Sequence, residues 1–312
     1  MDWLIIVVIA YFILAIVNLV DKFLLDNILP SSKTYTFLVG ALSGLALLLA
    51  PVWLAWPGAA LLIANLAAGA LFPLALLLLY RALKLGDASK ILVIAGGAVP
   101  VGTLILSSIF LAEKFSARQL TAVGLLVLGT MVIAWVPPQK RVINQIMAWL
   151  KIKTVYTGES LAMALTAALI FSLFFVASKY LYSRQPFMSA FIWLRLGSFL
   201  AVLLFLLNRR WRREIFQHLK KLTGRREVKV FLANQGFAGA GFILQNYAVA
   251  LGSVTLINAL QGVQYALLLV LGGVITVFYP RILKENISRL VIIQKITAII
   301  LISLGLFLIS FK

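Results

Sequence analysis

Ala82-Leu83-Lys84-Leu85-Gly86 closes one apolar stretch, and Ala248-Val249-Ala250-Leu251-Gly252 closes another 166 residues later. Other landmarks recur in the same order. Asp21-Lys22 is matched by Ser178-Lys179 and Gly40 by Gly197, both at an offset of 157, and Glu113-Lys114-Phe115-Ser116 by Glu285-Asn286-Ile287-Ser288 at 172. The offset grows where the later half carries longer loops. Ten apolar stretches join these landmarks, at residues 3–20, 34–50, 58–80, 88–111, 119–136, 160–181, 187–207, 230–251, 254–278 and 290–311. Most hold the ~20 residues that an α-helix needs to cross ~30 Å of hydrocarbon. Their unbroken apolarity lacks the period of two that marks a membrane-barrel strand. The predicted fold is therefore an all-α integral membrane protein of ten transmembrane helices. Because five is odd, the second five enter the membrane upside down, and inverted repeats of this kind belong mainly to secondary transporters.

Composition agrees with the membrane class. Hydrophobic residues make up 63% of the 312, and only nine side chains are acidic, too few for the charged surface of a soluble protein. No basic residue precedes the first stretch, which ends in Val20-Asp21-Lys22 without a small-residue cleavage site, so it is expected to be a retained helix. The absence of cysteine excludes disulfides, thiolate nucleophiles and thiolate metal sites.

The net charge of +19 would suggest nucleic acid in a soluble protein, but here it lies between the spans. Counting Lys90, Lys179 and Lys295 at the stretch ends with the loops they adjoin, loops after odd-numbered stretches hold 22 Lys and Arg, against five after even-numbered ones with Lys312 included. By the positive-inside rule the odd loops are cytosolic and both termini external. Nine of the 22 lie in the basic loop at 208–229, and leaving it out still gives 13 against five. That loop is expected to be a topology determinant lying on anionic headgroups rather than a nucleic-acid site. Between Arg141 and Tyr156, apolar residues alternate with Lys and Gln, which reads as an interfacial amphipathic helix joining the halves. The organisation is thus a first five-helix repeat at 1–137, a linker at 138–158 and a second repeat at 159–312.

From Tyr80-Arg81-Ala82-Leu83 the chain runs through Gly86-Asp87-Ala88-Ser89, Pro100-Val101 and Leu111-Ala112-Glu113-Lys114-Phe115-Ser116 to Gln119, Gly124 and Gly129. This ordered set resembles the EamA-type domain of the drug/metabolite transporter superfamily. A weaker copy follows in Asn246-Tyr247-Ala248, Gly252, Glu285-Asn286-Ile287-Ser288, Gln294 and Gly305, with Ala266 or Tyr265 where Pro100 would map. The resemblance implies a ten-helix transporter of small metabolites with a central cavity between its halves. Members of that family usually keep both termini in the cytosol, opposite to the charge count here.

Enzymatic chemistry finds little support. The only histidine, His218, lies in the basic loop, and the nine acidic residues lie at span ends or in loops, so no acid, base or metal cluster sits within a span. A membrane-embedded enzyme and a non-transporting scaffold are the alternative readings to a transporter. Proton-driven exporters commonly carry a carboxylate inside a helix. This chain is therefore either a facilitator or one coupled through edge groups such as Asp21 or Asp87. Glu113 and Glu285 each precede by three residues a serine suited to cap the next helix.

Three features point to a substrate site. Gly96, Gly97 and Pro100 lie near the middle of the fourth stretch, where proline removes a backbone hydrogen bond and glycine permits close approach or unwinding. At the corresponding place in the ninth stretch, Asn258, Gln261 and Tyr265 share one helical face at spacings of three and four. Their roles are either packing or lining a polar cavity. Arg195 is the only basic residue deep in an apolar span, and Leu38 holds the matching position of the first half. It lies about 12 Å from Phe187 at a rise of ~1.5 Å per residue, where a guanidinium costs at least ~2.5 kcal/mol. Its compensation is either backbone carbonyls and cavity water, or an anionic substrate group such as a carboxylate held by parallel hydrogen bonds. Most phenylalanines are expected on lipid-facing or interfacial stretches, and Trp53 and Trp56 in an interfacial belt. The expected partners are a small-molecule substrate and the lipid bilayer of the plasma membrane, with no cofactor and no nucleic acid.

Overall fold

The computed structural model describes residues 2–27, 31–85, 88–134, 158–221, 225–264, 266–267, 270–271 and 289–310. Every regular element among them is helical. In the first half these are α1 (Asp2–Asn27), α2 (Ser32–Ser43), a 3-10 segment (Gly44–Leu49), α3 (Ala50–Trp53), α4 (Ala59–Leu85), α5 (Ala88–Phe110) and α6 (Ala117–Ala134). In the second half they are α7 (Gly158–Arg184), α8 (Phe187–Leu203), a 3-10 turn (Leu204–Leu207), α9 (Arg209–Lys221), α10 (Arg225–Leu251), α11 (Val254–Ala259) and α12 (Arg289–Ser310). Among the described residues, four segments are long and apolar enough to cross a bilayer: Ser32–Trp53, Ala59–Ala82, Gly158–Arg184 and Phe187–Leu207. The linker at 138–158 lies, except for Gly158, outside the described residues, as do Asp87, Tyr265 and Glu285.

The helix starts follow from side chains that meet otherwise orphaned backbone N–H groups. Ser31 Oγ accepts from Thr34 N at the head of α2, and Ser253 Oγ from Leu256 N at the head of α11. Ser116 and Gln119 form a reciprocal capping box on α6, with Gln119 N donating to Ser116 Oγ (3.2 Å) and Ser116 N to Gln119 Oε1 (2.9 Å). The serine expected to cap does so. Glu113 of the same turn reaches further, accepting from Ser253 Oγ at 2.9 Å and so tying the turn before α6 to the turn before α11.

The main packing runs between the halves. α1 lies against α10, α4 against α7 and α8, α5 against α7 and α11, α6 against α12, and α2 against α8. Small residues set the closest of these approaches. At the α4–α8 crossing, a Cβ on Gly69 would collide with the Leu194 carbonyl and one on Gly197 with the Leu66 carbonyl. Ser198 Oγ fastens the same crossing by donating to Gly69 O at 2.7 Å. At the α6–α12 crossing the contact is reciprocal. A Cβ on Gly129 would meet Ile302, and one on Gly305 would meet Leu126.

One expectation is corrected here. The 208–229 segment is not only loop, since Arg209–Lys221 forms α9 with Asn208 Oδ1 accepting from Arg210 N (3.0 Å) and Trp211 N (3.2 Å). Trp211, Ile215 and Leu219 recur at a helical spacing of four and turn one face inward, with Ile215 fully buried. Phe174, Phe175 and Phe191 are buried in the main core. Phenylalanine suits both environments, so its type alone does not choose between them.

Candidate substrate site

Arg195 lies on α8 with only 7% of its surface exposed. Its guanidinium carbon is 4.1 Å from the ring centroid of Phe242 on α10, 5.0 Å from Phe72 on α4 and 5.4 Å from Phe191 on α8. The box therefore draws rings from both halves of the chain. Further aromatics back it, with Phe72 packed on Phe174 (5.3 Å), Phe242 (5.3 Å) and Phe171 (6.0 Å).

Magnitudes decide what the rings accomplish. Each desolvated cation–π contact contributes about 0.5–2 kcal/mol, so three of them rival the ~2.5–3.5 kcal/mol that a cation costs at the centre of a span. They leave the hydrogen bonds unmade. Arg195 Nε is buried without a partner, and among the described residues the guanidinium has no carbonyl or carboxylate to bond. What remains is a cation with donors to offer, surrounded by ring faces that accept no strong hydrogen bond.

A polar layer lies nearby. Tyr182 Oη donates to Asn246 Oδ1 at 2.9 Å, and Asn246 Nδ2 donates to Phe242 O at 2.8 Å, fixing the helix turn that carries the nearest ring. On α1, fully buried Tyr11 donates through Oη to Ile257 O at 2.7 Å, in the last turn of α11 where carbonyls lack helical partners.

The α5 residues behave differently from expectation. The helix runs without interruption through Gly96, Gly97 and Pro100, all buried. Neighbouring hydroxyls stabilise this stretch, Ser172 Oγ donating to Val99 O (3.1 Å) and Thr103 Oγ1 to Pro100 O (2.9 Å). Gly97 faces α6, where an added Cβ would press on the terminal methyl of Met131 rather than on open space. The interruption lies in the second half instead. α11 stops at Ala259, Leu260 forms a turn, and Val263 N donates to Leu260 O in a tighter 3-10-type bond. Asn258 is fully buried there, with Nδ2 bonded to Val254 O (3.0 Å) and Oδ1 left without a partner. Gln261 is half-buried on the next turn, and Tyr265 is outside the described residues. Ser107 and Thr255 join α5 to α11 through their hydroxyls at 2.9 Å. No hydrogen bond links Arg195 to Asn258 or Gln261 among the described residues.

Comparison with known proteins adds the family. The model of the EamA-like transporter family matches residues 1–135. That segment, under half of the chain, is similar to the EamA-like transporter family. The family is one of membrane transporters, in agreement with the apolar spanning helices. No curated protein matches the sequence. Sixteen chains of solved structures resemble it. One, a crystal structure, aligns over 99% of this chain and 95% of its own with a TM-score of 0.62 at 17% identity. At that identity the likeness speaks for the fold alone. The box around Arg195 therefore joins the EamA-like half, through Phe72, to the half beyond the family match.

Proposed function

We propose that the protein is a secondary transporter, an exporter or facilitator, for a small organic anion, and that Arg195 receives the anionic group. The observation that carries this reading is a buried guanidinium with a stranded Nε and no anion among the described residues. A carboxylate would supply both the charge and the planar acceptor geometry that the rings lack. An amphipathic body suits the ring-lined walls. Asn258, with its stranded Oδ1, and Gln261 lie at the interruption of the ninth predicted span and would contact a further polar part of the substrate as the site changes access.

The architecture we propose is ten spans in two inverted five-helix repeats, at 1–137 and 159–312, in the plasma membrane with both termini external. Its support is the repeated landmarks, the 22-to-five charge imbalance, and the crossed packing of α1 on α10 and α4 on α7. First helix meets third in both directions, as two halves related by a pseudo-two-fold would do. Alternating access then requires end contacts that make and break. At one end Glu113 holds Ser253 and Lys179 Nζ donates to Ala250 O at 2.9 Å. At the other, Ser31 and Lys33 hold Glu214.

Purified protein in liposomes, loaded in turn with a panel of small carboxylates and their neutral amides, is expected to release the carboxylates faster than equally loaded protein-free liposomes do and the amides at the background rate. Background release of every compound, or equal release of acid and amide, would overturn the reading.

A further inference from the structure

Beyond the crossing of Gly69 and Gly197, α4 and α8 diverge and leave an apolar groove of about 300 Å³. Pro73 and Leu74 of α4 form one wall, Leu204 and Phe205 the other, and Asn208 and Trp211 close its end. The groove opens away from the core, since Leu74 and Leu204 are 45% and 64% exposed.

Its closed end carries charge of one sign. The Trp211 ring stacks edge-on against Phe205 at 5.1 Å and bears two cations on its faces, Lys33 at 5.5 Å and Arg81 at 5.2 Å. Lys33 is occupied by Glu214, whereas Arg81 has no carboxylate among the described residues. On α9 the arginines 209, 210, 212 and 213 are exposed and likewise unpaired among the described residues. Glu214 is the only acidic residue of that helix, and it is already engaged.

An apolar channel of this size running up to a cluster of unpaired guanidinium groups is complementary to one class of molecule. We propose that the groove holds one acyl chain of an anionic phospholipid whose phosphate lies between Arg81 and Arg212. The exposed flank faces the bilayer, so the lipid enters sideways. Trp211 separates chain from headgroup in the way an interfacial tryptophan does. The basic helix then acts as a lipid-recognition element and not only as a topology signal.

Native mass spectrometry of the full-length protein, purified in mild detergent and offered phosphatidylglycerol or phosphatidylcholine of equal chain length, tests this. Phosphatidylglycerol is expected to be retained preferentially, with roughly fivefold less retention for each of Arg81→Gln and Arg212→Gln. Lys220→Gln, at the far end of α9, should leave retention unchanged. Ala201→Phe, which fills the groove, should release both lipids, and Leu74→Trp serves the same end if the first variant does not give a monodisperse protein. Chain-free glycerophosphoglycerol at millimolar concentration should not compete. Equal retention of the two lipids, retention untouched by the arginine or groove variants, competition by the chain-free headgroup, or displacement by an RNA oligonucleotide would each overturn the proposal.

Discussion

Arg195 is held by ring faces, and this makes its energetics separable. Removing the nearest ring with Phe242→Leu keeps an apolar wall but deletes a contact of about 1 kcal/mol. Thermal unfolding of the wild type, Phe242→Leu, Arg195→Leu and the double variant is expected to give a coupling of about that size between the two residues. A coupling of zero would mean that the ring packs beside the cation without stabilising it. The cation itself was legible in the sequence, because a lone arginine deep in an apolar stretch demands compensation. Its compensators were not. Phe72, Phe191 and Phe242 are residues that lipid and core accept equally, and nothing in their spacing aims them at Arg195. Tyr11 and the bonding of Asn246 were not legible for a related reason, since a single polar side chain in a span declares no partner until the helices are packed.

Among the elements, α9 is tied to α2 through Glu214, whose carboxylate accepts from Lys33 Nζ (2.6 Å) and Ser31 Oγ (2.7 Å). Burial pushes this carboxyl upward, but the bonds from Lys33 and Ser31 outweigh it and hold it below its ordinary value. A depressed carboxyl contributes its stability fully above the ordinary carboxylate range near ~4.3 and loses it as pH falls through the depressed value. The protection of α9 amides, taken relative to the intrinsic exchange rate at each pH, is therefore expected to be constant near neutrality and to fall only in acid, for a tether of about 1 kcal/mol or less. Glu214→Gln should show the lower protection already at pH 7 and little further change in acid. The same acid response in that variant would assign the effect elsewhere. At the α4–α8 crossing, Gly197→Ala puts a methyl into the Leu66 carbonyl and must force the helices apart, costing about 1–3 kcal/mol as overpacking. Gly124→Ala, inside α6 where a Cβ meets nothing within 4 Å, should instead cost nothing and stabilise by up to about 1 kcal/mol in the same unfolding assay. The glycine-proline run of α5 predicts close approach or unwinding there, whereas the interruption in the structure is at Leu260. Proline is visible in a sequence, whereas the bond that Ser172 of α7 donates to Val99 O beside it comes from the packing around α5. Helix α9 was hidden by its own charge, although Trp211, Ile215 and Leu219 carried the helical spacing.

For the whole molecule, the sequence conveyed the membrane class and the helical fold directly, because apolar runs of this length have few other solutions. The crossed packing of the halves was not readable in advance, since it depends on which small residues meet. Orientation is a separate matter. Single cysteines at Gln217 and at Lys312 of this cysteine-free chain are expected to react oppositely with a membrane-impermeant thiol reagent, the terminal one from outside intact cells. Labelling of Gln217→Cys from outside would reverse the topology. The claim on which the functional account depends is that a guanidinium at 195 binds an anion during transport. Liposome flux of one carboxylated compound and its neutral amide, with wild-type protein and with Arg195→Lys, tests it most directly. The account predicts that lysine, which keeps the charge but loses the planar fork, raises KM for the carboxylate while leaving the slow flux of the amide where it was. An equal change for acid and amide, or no change for either, would contradict it.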